Sequence, residues 1–130
     1  MHRHGYKGRK FGRERDQRRA LLKGLATSLV MHGKIETTLQ KAKETSRYIE
    51  KVITKAKKGD LAGRRQVIAA LSTQAAAFKL FDEIAPQLTA RNSGHVRVVR
   101  TRLRVGDGAQ LAVIEFVDEL KAAPKEEVKA

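Results

Sequence analysis

The sequence predicts an α+β fold: about four helices packed with a small mixed sheet of about three strands, including a C-terminal hairpin, behind a disordered basic N-terminal arm. Three observations predict it. Between Asp16 and Pro86 apolar residues recur at helical spacing, in blocks separated by Gly33, Gly59 and Ser72-Thr73. After Asn92-Ser93-Gly94 the period changes to two, the alternation of a strand. The first 23 residues hold nine Lys/Arg against Glu14 and Asp16, which is +7 of a formal net charge of +14, with little hydrophobic pattern.

The arm, residues 1–13, carries Arg3, Lys7, Arg9, Lys10 and Arg13, and is interrupted by Gly5, Gly8 and Gly12. Such a segment cannot offset its ordering entropy by burying apolar surface. It needs a partner of opposite charge, and a dense polyanion is the chemistry that fits. Tyr6 and Phe11 lie inside it, far from any core pattern. They are either stray aromatics of a tail or rings that stack on unpaired bases, or pack in a groove, once the arm orders.

The elements follow in order. From about Asp16, taken as N-cap, Leu21, Leu22, Leu25, Ala26, Leu29 and Val30 mark a helix ending at Gly33; it carries Arg15, Arg18, Arg19 and Lys23 at its basic start. Residues 34–38 lean towards a strand. Thr37 and Gln40 suit a capping box for a second helix. Its stripe is Ala42, Thr45, Ile49, Val52, Ile53 and Ala56, ringed by Lys and Arg and stopped by Gly59. Asp60 caps a third helix reaching Leu71, with Arg64 and Arg65 outward. Ser72-Thr73 caps a fourth, whose core stripe reads Phe78, Phe81 and Ile84 with Leu80 alongside, closed by Pro86. In residues 95–105, Val99, Thr101, Leu103 and Val105 face one way, and Arg100, Arg102 and Arg104 the other. Residues 106–109 form a turn. The run 110–117 returns as a strand, apolar at nearly every position, as for a strand covered on both faces. The boundaries are therefore an arm at 1–13, a single α+β domain at 14–118 and a disordered, mixed-charge tail at 119–130.

Several function classes drop out. The chain has no cysteine, which excludes disulfides, thiol catalysis and zinc knuckles. No apolar run reaches the length of a membrane span, and no secretory h-region is present. The Arg-rich, acid-poor start is like a mitochondrial presequence, but it has no Ser and its glycines break any amphipathic helix. The four histidines, His2, His4, His32 and His95, show no metal-ligand spacing. Glu115 and Asp118 have no sequence partner for acid–base or metal chemistry, and no phosphate-binding glycine loop exists. No catalytic residue, metal, cofactor or small-molecule substrate is expected.

Charge points the other way. Residues 84–106 hold five arginines and no acid, whereas 107–130 are net acidic. Three arginines at i, i+2, i+4 put guanidinium groups on one sheet face about 7 Å apart, close to the separation of successive phosphates along a nucleic-acid strand. Each fork can hold a phosphate bidentately. The bland reading is a solvated strand face, but an all-Arg face without counter-ions exceeds what solubility needs.

Three collinear runs carry a resemblance. They are Ile35 to Glu44 (IETTLQKAKE), Lys79 to Pro86 (KLFDEIAP), and Gly94 to Asp118 with Arg97, Arg104, Gly106-Asp107 and Ile114-Glu115. In order and spacing they resemble the bacterial large-subunit ribosomal protein L17 family over roughly residues 2–118. The resemblance implies a structural component of the large ribosomal subunit, binding its long ribosomal RNA beside neighbouring ribosomal proteins, on the outer side near the peptide exit tunnel. It also implies that the arm, here Arg3 to Arg13, enters RNA. The chain departs from the family pattern at Met1-His2-Arg3-His4 and at Gln17-Arg18.

The expected RNA-contacting residues are Arg3, Lys7, Arg9, Lys10, Arg13, Arg15, Arg18, Arg19, Lys23, Lys41, Arg97, Arg100, Arg102 and Arg104. The expected place is the cytoplasmic ribosome. An architectural nucleic-acid-binding protein outside the ribosome is the alternative. A DNA reader would want a recognition helix with base-reading residues such as Asn, Gln and Arg clustered at its start, and the Arg strand and glycine-broken arm fit irregular RNA better. A nuclease would want a carboxylate cluster.

Overall fold

The computed structural model describes residues 4–121. Their order is α1 (Arg15–His32), β1 (Lys34–Thr38), α2 (Leu39–Lys58), α3 (Leu61–Ala70), α4 (Gln74–Lys79), a π-helical turn (Leu80–Ile84), a 3-10 turn (Ala85–Leu88), β2 (Val96–Leu103) and β3 (Gln110–Phe116). The strands form one sheet in the order β1-β3-β2. Both pairings are antiparallel, so the sheet is not mixed. The turn through Gly108, at φ +66°, closes β2 onto β3 as the C-terminal hairpin.

Helix α2 lies at the centre, packing against α1, α3, the π and 3-10 turns and all three strands. Its expected stripe is buried at every position, with Leu39 added. Gly33 and Gly59 end α1 and α2 in the left-handed region, at φ +80° and +69°, where a side chain is disfavoured. Asp60 and Thr73 cap α3 and α4 by accepting from the amides of Gly63 and Ala76. Two caps differ from expectation. α1 starts two residues earlier than an Asp16 cap implies, on a Glu14–Gln17 capping box. Thr37 is held in β1 opposite Ala112, so α2 begins at Leu39 behind Thr38 as N-cap, without the Thr37–Gln40 box.

The fourth helix departs further. Pro86 has no N–H for the helical ladder, and the chain before it widens into a π turn in which the Ala85 amide reaches Leu80 O. The stripe rotates accordingly. Ala76, Ala77, Leu80, Ile84, Ala85 and Leu88 are buried, while Phe78 is exposed and Phe81 half-buried.

A polar clamp inside the core was not legible from the sequence. His95, fully buried, places Nδ1 3.0 Å from Glu50 Oε2, while Glu50 Oε1 accepts from the Val96 amide at 2.9 Å. Lys57 Nζ meets His95 Nε2 at 3.2 Å and donates to the Arg91 carbonyl. With Nδ1–H donating to the carboxylate, Nε2 accepts from the ammonium. The clamp fixes α2 to the start of β2.

Beyond it the hairpin outruns the helices. Val96 and Val98 point into the core side, opposite Phe116 and Ile114, so the apolar face read through Val99 to Val105 is not the buried one. Val105 is 96% exposed. β3 is central but covered on one face only. Ala112, Ile114 and Phe116 meet the helices, while Val113 and Glu115 are half-buried between neighbouring strands. At the far end Leu120 packs against the core, and Lys121 exchanges hydrogen bonds with Gln87. The attached chain thus runs past the expected tail boundary; residues 122–130 lie outside the described ones.

Two helix glycines should respond oppositely to alanine. A Cβ at Gly24 meets nothing within 4 Å, so Gly24→Ala should stabilise by about 0.5–1 kcal/mol. A Cβ at Gly63 would lie 2.7 Å from the Lys55 carbonyl of α2, so Gly63→Ala should destabilise. Urea unfolding gives both signs. Glu50→Ala leaves two buried donors without acceptors, at roughly 1–3 kcal/mol each; Glu50→Gln, keeping one acceptor, should recover part of the loss in the same assay.

Candidate nucleic-acid interface

The arm has no helix or strand at residues 4–13, as its composition dictates, yet it is braced against the domain. The Arg18 guanidinium sits 4.2 Å from the centroid of the Tyr6 ring. Arg18 also donates to the Arg13 carbonyl at 3.3 Å, and the Tyr6 hydroxyl donates to the Arg9 carbonyl at 3.3 Å. Gly8, at φ +114°, runs so close to α2 that a Cβ there would be 3.0 Å from Glu44 Oε2. Lys7, Arg9 and Lys10 are exposed, and none has an ion pair among the described residues. Arg3 lies outside the described residues.

α1 continues the positive surface on a rigid support. Arg15, Arg19 and Lys23 stand at four-residue steps, about 6 Å apart along the axis, and have no carboxylate partner among the described residues. They line an open concavity of about 620 Å³ on one flank. On the other, Arg15, Arg18 and Arg19 join Gly5, Tyr6, Leu22 and Tyr48 around a groove of about 420 Å³. The Tyr48 hydroxyl is pinned at 2.6 Å to the Ala70 carbonyl. Burial raises its pKa above the usual phenol value, opposed by the nearby Arg19 charge. Lys41 is half-buried near the start of α2.

The arginines of the hairpin are arranged differently from the expected ladder. A register shift between Arg100 and Leu103 breaks the alternation. Arg100 stands opposite Ala112 on the helix-facing side, whereas Arg102 reaches Glu36 of β1 at 3.2 Å across the open face. Arg104 lies past the strand end and forks onto Asp107 at 2.9 and 2.6 Å. That side-chain hydrogen bond, with the Ala109 amide, holds the Asp107 carboxyl far below the usual carboxylate range. Arg97 pairs with Glu115 at 2.8 Å. Three of the four expected strand contacts therefore carry counter-ions, and the three arginines do not share one face.

The carboxylates that catalysis would need are spent the same way. Glu115 holds Arg97, and Asp118 holds Arg91 at 3.2 and 3.3 Å. Among the described residues no group of three His, Cys, Asp or Glu is placed to hold a metal, and no helix is long and apolar enough to cross a membrane. His95 is consumed by the core clamp.

Fold and surface together define a small basic α+β protein. A family model described as "Ribosomal protein L17" matches residues 21–117, and the chain belongs to that family, whose members are constituents of the ribosome and not enzymes. "Large ribosomal subunit protein bL17" of Campylobacter lari is 52% identical over 116 residues, covering 89% of this chain and 97% of the relative. The protein of the same description from Helicobacter hepaticus is 53% identical over 116 residues, covering 89% and 98%. That from Clostridium acetobutylicum is 50% identical over 109 residues, covering 84% and 96%.

Purified protein should leave RNA and DNA intact with Mg²⁺ or Mn²⁺ present. Cleavage by the parent chain that a Glu115→Gln, Asp118→Asn double variant abolishes is the contrary outcome, and a gel assay reads it.

Proposed function

We propose that this chain is a structural constituent of the large ribosomal subunit of the cytoplasmic ribosome, holding ribosomal RNA between a basic arm (residues 1–13) and the exposed flank of α1. The observation that carries the RNA reading is the Arg15–Arg19–Lys23 ladder, continuous with the arm's lysines and arginines and free of ion pairs among the described residues. Unpaired cations on a rigid helix meet phosphates without first breaking a salt bridge, and each contact releases counterions. The relatives' description as large-subunit proteins supports the assembly. The hairpin has a subordinate part in this reading. Arg100 is available, whereas Arg97, Arg102 and Arg104 must exchange Glu115, Glu36 and Asp107 for phosphate. Neighbouring ribosomal proteins are the other expected partners, fitting the open sheet face.

The chain should co-sediment with large subunits through a high-salt wash. In binding to large-subunit ribosomal RNA, Arg15→Gln, Arg19→Gln and Lys23→Gln should each reduce the log–log salt slope by about 0.7–0.9. Arg102→Gln and Arg104→Gln should reduce it less. Slopes unchanged in the α1 variants would move the RNA surface elsewhere.

A further inference from the structure

We propose that the groove between the arm and α1 is a capture site for one unstacked nucleobase, and so that the protein grips a flipped-out or bulged nucleotide as well as the phosphate backbone. The proposal rests on the RNA-binding reading and gives that surface its ligand.

The groove combines two features that a backbone-only surface does not need. Its walls include two aromatic rings, Tyr6 and Tyr48, and the apolar side chain of Leu22, while Arg15, Arg18 and Arg19 supply the cations. A nucleotide is a flat π system bearing an anion, and this lining matches both parts. The volume, about 420 Å³, lies within the small-ligand range of roughly 300–1,000 Å³.

The rings are also set in advance. Arg18 covers one face of Tyr6 and is itself tied to the Arg13 carbonyl. The Tyr6 hydroxyl is tied to the Arg9 carbonyl, yet the residue stays 41% exposed. An exposed ring held on an arginine, in an arm with no hydrophobic core of its own, is a platform with a free surface. Base stacking on such a ring contributes about 1–3 kcal/mol per base.

The hydrogen bonds say how the base is read. Both hydroxyls are engaged by protein carbonyls, Tyr6 by Arg9 and Tyr48 by Ala70. What the two tyrosines leave for the base is ring surface, while the guanidinium donors of Arg15, Arg18 and Arg19 serve the phosphate. The site therefore takes any base by its π face, and recognition comes from the base being unpaired. The few aromatics of the chain bear this out in number: a single groove accepts one base, where a stacking sheet would track many.

The test uses the full chain and a family of RNA hairpins equal in length and charge. One carries a single-nucleotide bulge (A, G, C or U in turn), one carries an abasic residue at the bulge, and one is fully paired. Fluorescence anisotropy reads the affinities. The base-bearing bulges should bind roughly 5- to 150-fold more tightly than the abasic one, the range that one stacked base supplies, with little dependence on base identity. Tyr6→Ala should erase that difference, and Tyr6→Phe should retain it, since only the ring is used. Tyr6 lies outside the core, so the alanine variant folds; unchanged thermal unfolding checks this. Equal affinity for base-bearing and abasic bulges, with binding to all of them retained, overturns the base site and leaves the RNA reading standing. No binding to any of the RNAs at low salt overturns the RNA reading, and the base site with it.

Discussion

Helix α2 is the constraint on which the remainder of the structure depends. Its buried stripe from Leu39 to Ala56 is the surface onto which the other helices and the sheet close. Dispersion and hydrophobic burial are non-directional, however, and do not by themselves fix how far the sheet slides along a helix. Glu50 supplies the direction. One carboxylate takes the imidazole of His95 and the amide of Val96, and so sets the first residue of β2 against one turn of α2. Lys57, two turns further along the same side of α2, ties the preceding loop through the Arg91 carbonyl. A half-buried carboxylate with both oxygens engaged on buried partners, the His95 ring and the Val96 amide, opposes a one-residue slip, because a slip would strand those partners without water.

The sequence displayed what obeys short-range rules. The stripe of α2, the glycine stops at Gly33 and Gly59, and the caps at Asp60 and Thr73 all lie where periodicity and capping chemistry put them. What escaped depends on contacts distant in sequence. Glu50 and His95 are 45 positions apart, and neither carries a local mark of burial; Lys57 reads as one more solvated cation among many. Of the stripe read through Phe78, Phe81 and Ile84 with Leu80, only Phe78 departs: Leu80 and Ile84 are buried and Phe81 packs half-buried against the core, while the inner face of α4 at that level is taken by Ala76 and Ala77. The arginine ladder of β2 failed because strict alternation assumes no bulge, and a single extra residue sends Arg100 and Arg102 to opposite sides. Acidic partners for that ladder come from Glu36, which is close only after β1 pairs with β3. The helix that carries Arg15, Arg18 and Arg19 outward from the arm is legible in the sequence.

Two grades of positive charge coexist on this molecule. On the hairpin, Arg97, Arg102 and Arg104 are folded onto carboxylates, so their forks are oriented and their charge is locally cancelled. On the arm and α1, Lys7, Arg9, Lys10, Arg15, Arg19 and Lys23 make no ion pair among the described residues, although Glu14 and Asp16 line the same concavity as the α1 cations. Such surface ion pairs contribute little to stability. Their effect is on the field: they lower the positive potential locally at the hairpin of a chain whose formal charge is +14.

The bulge in β2 has a bearing on the protein before it finds its partners. β2 is an edge of the sheet, and an extended edge offers unpaired amides and carbonyls as a template for another chain. Here the extra residue between Arg100 and Leu103 interrupts the regular spacing of those groups and increases the local twist. The flanking arginines add repulsion between like copies. A second hairpin cannot lie flat along this edge, so newly made chains, strongly basic and holding exposed Leu103 and Val105 at the tip, are kept from adding to one another strand by strand.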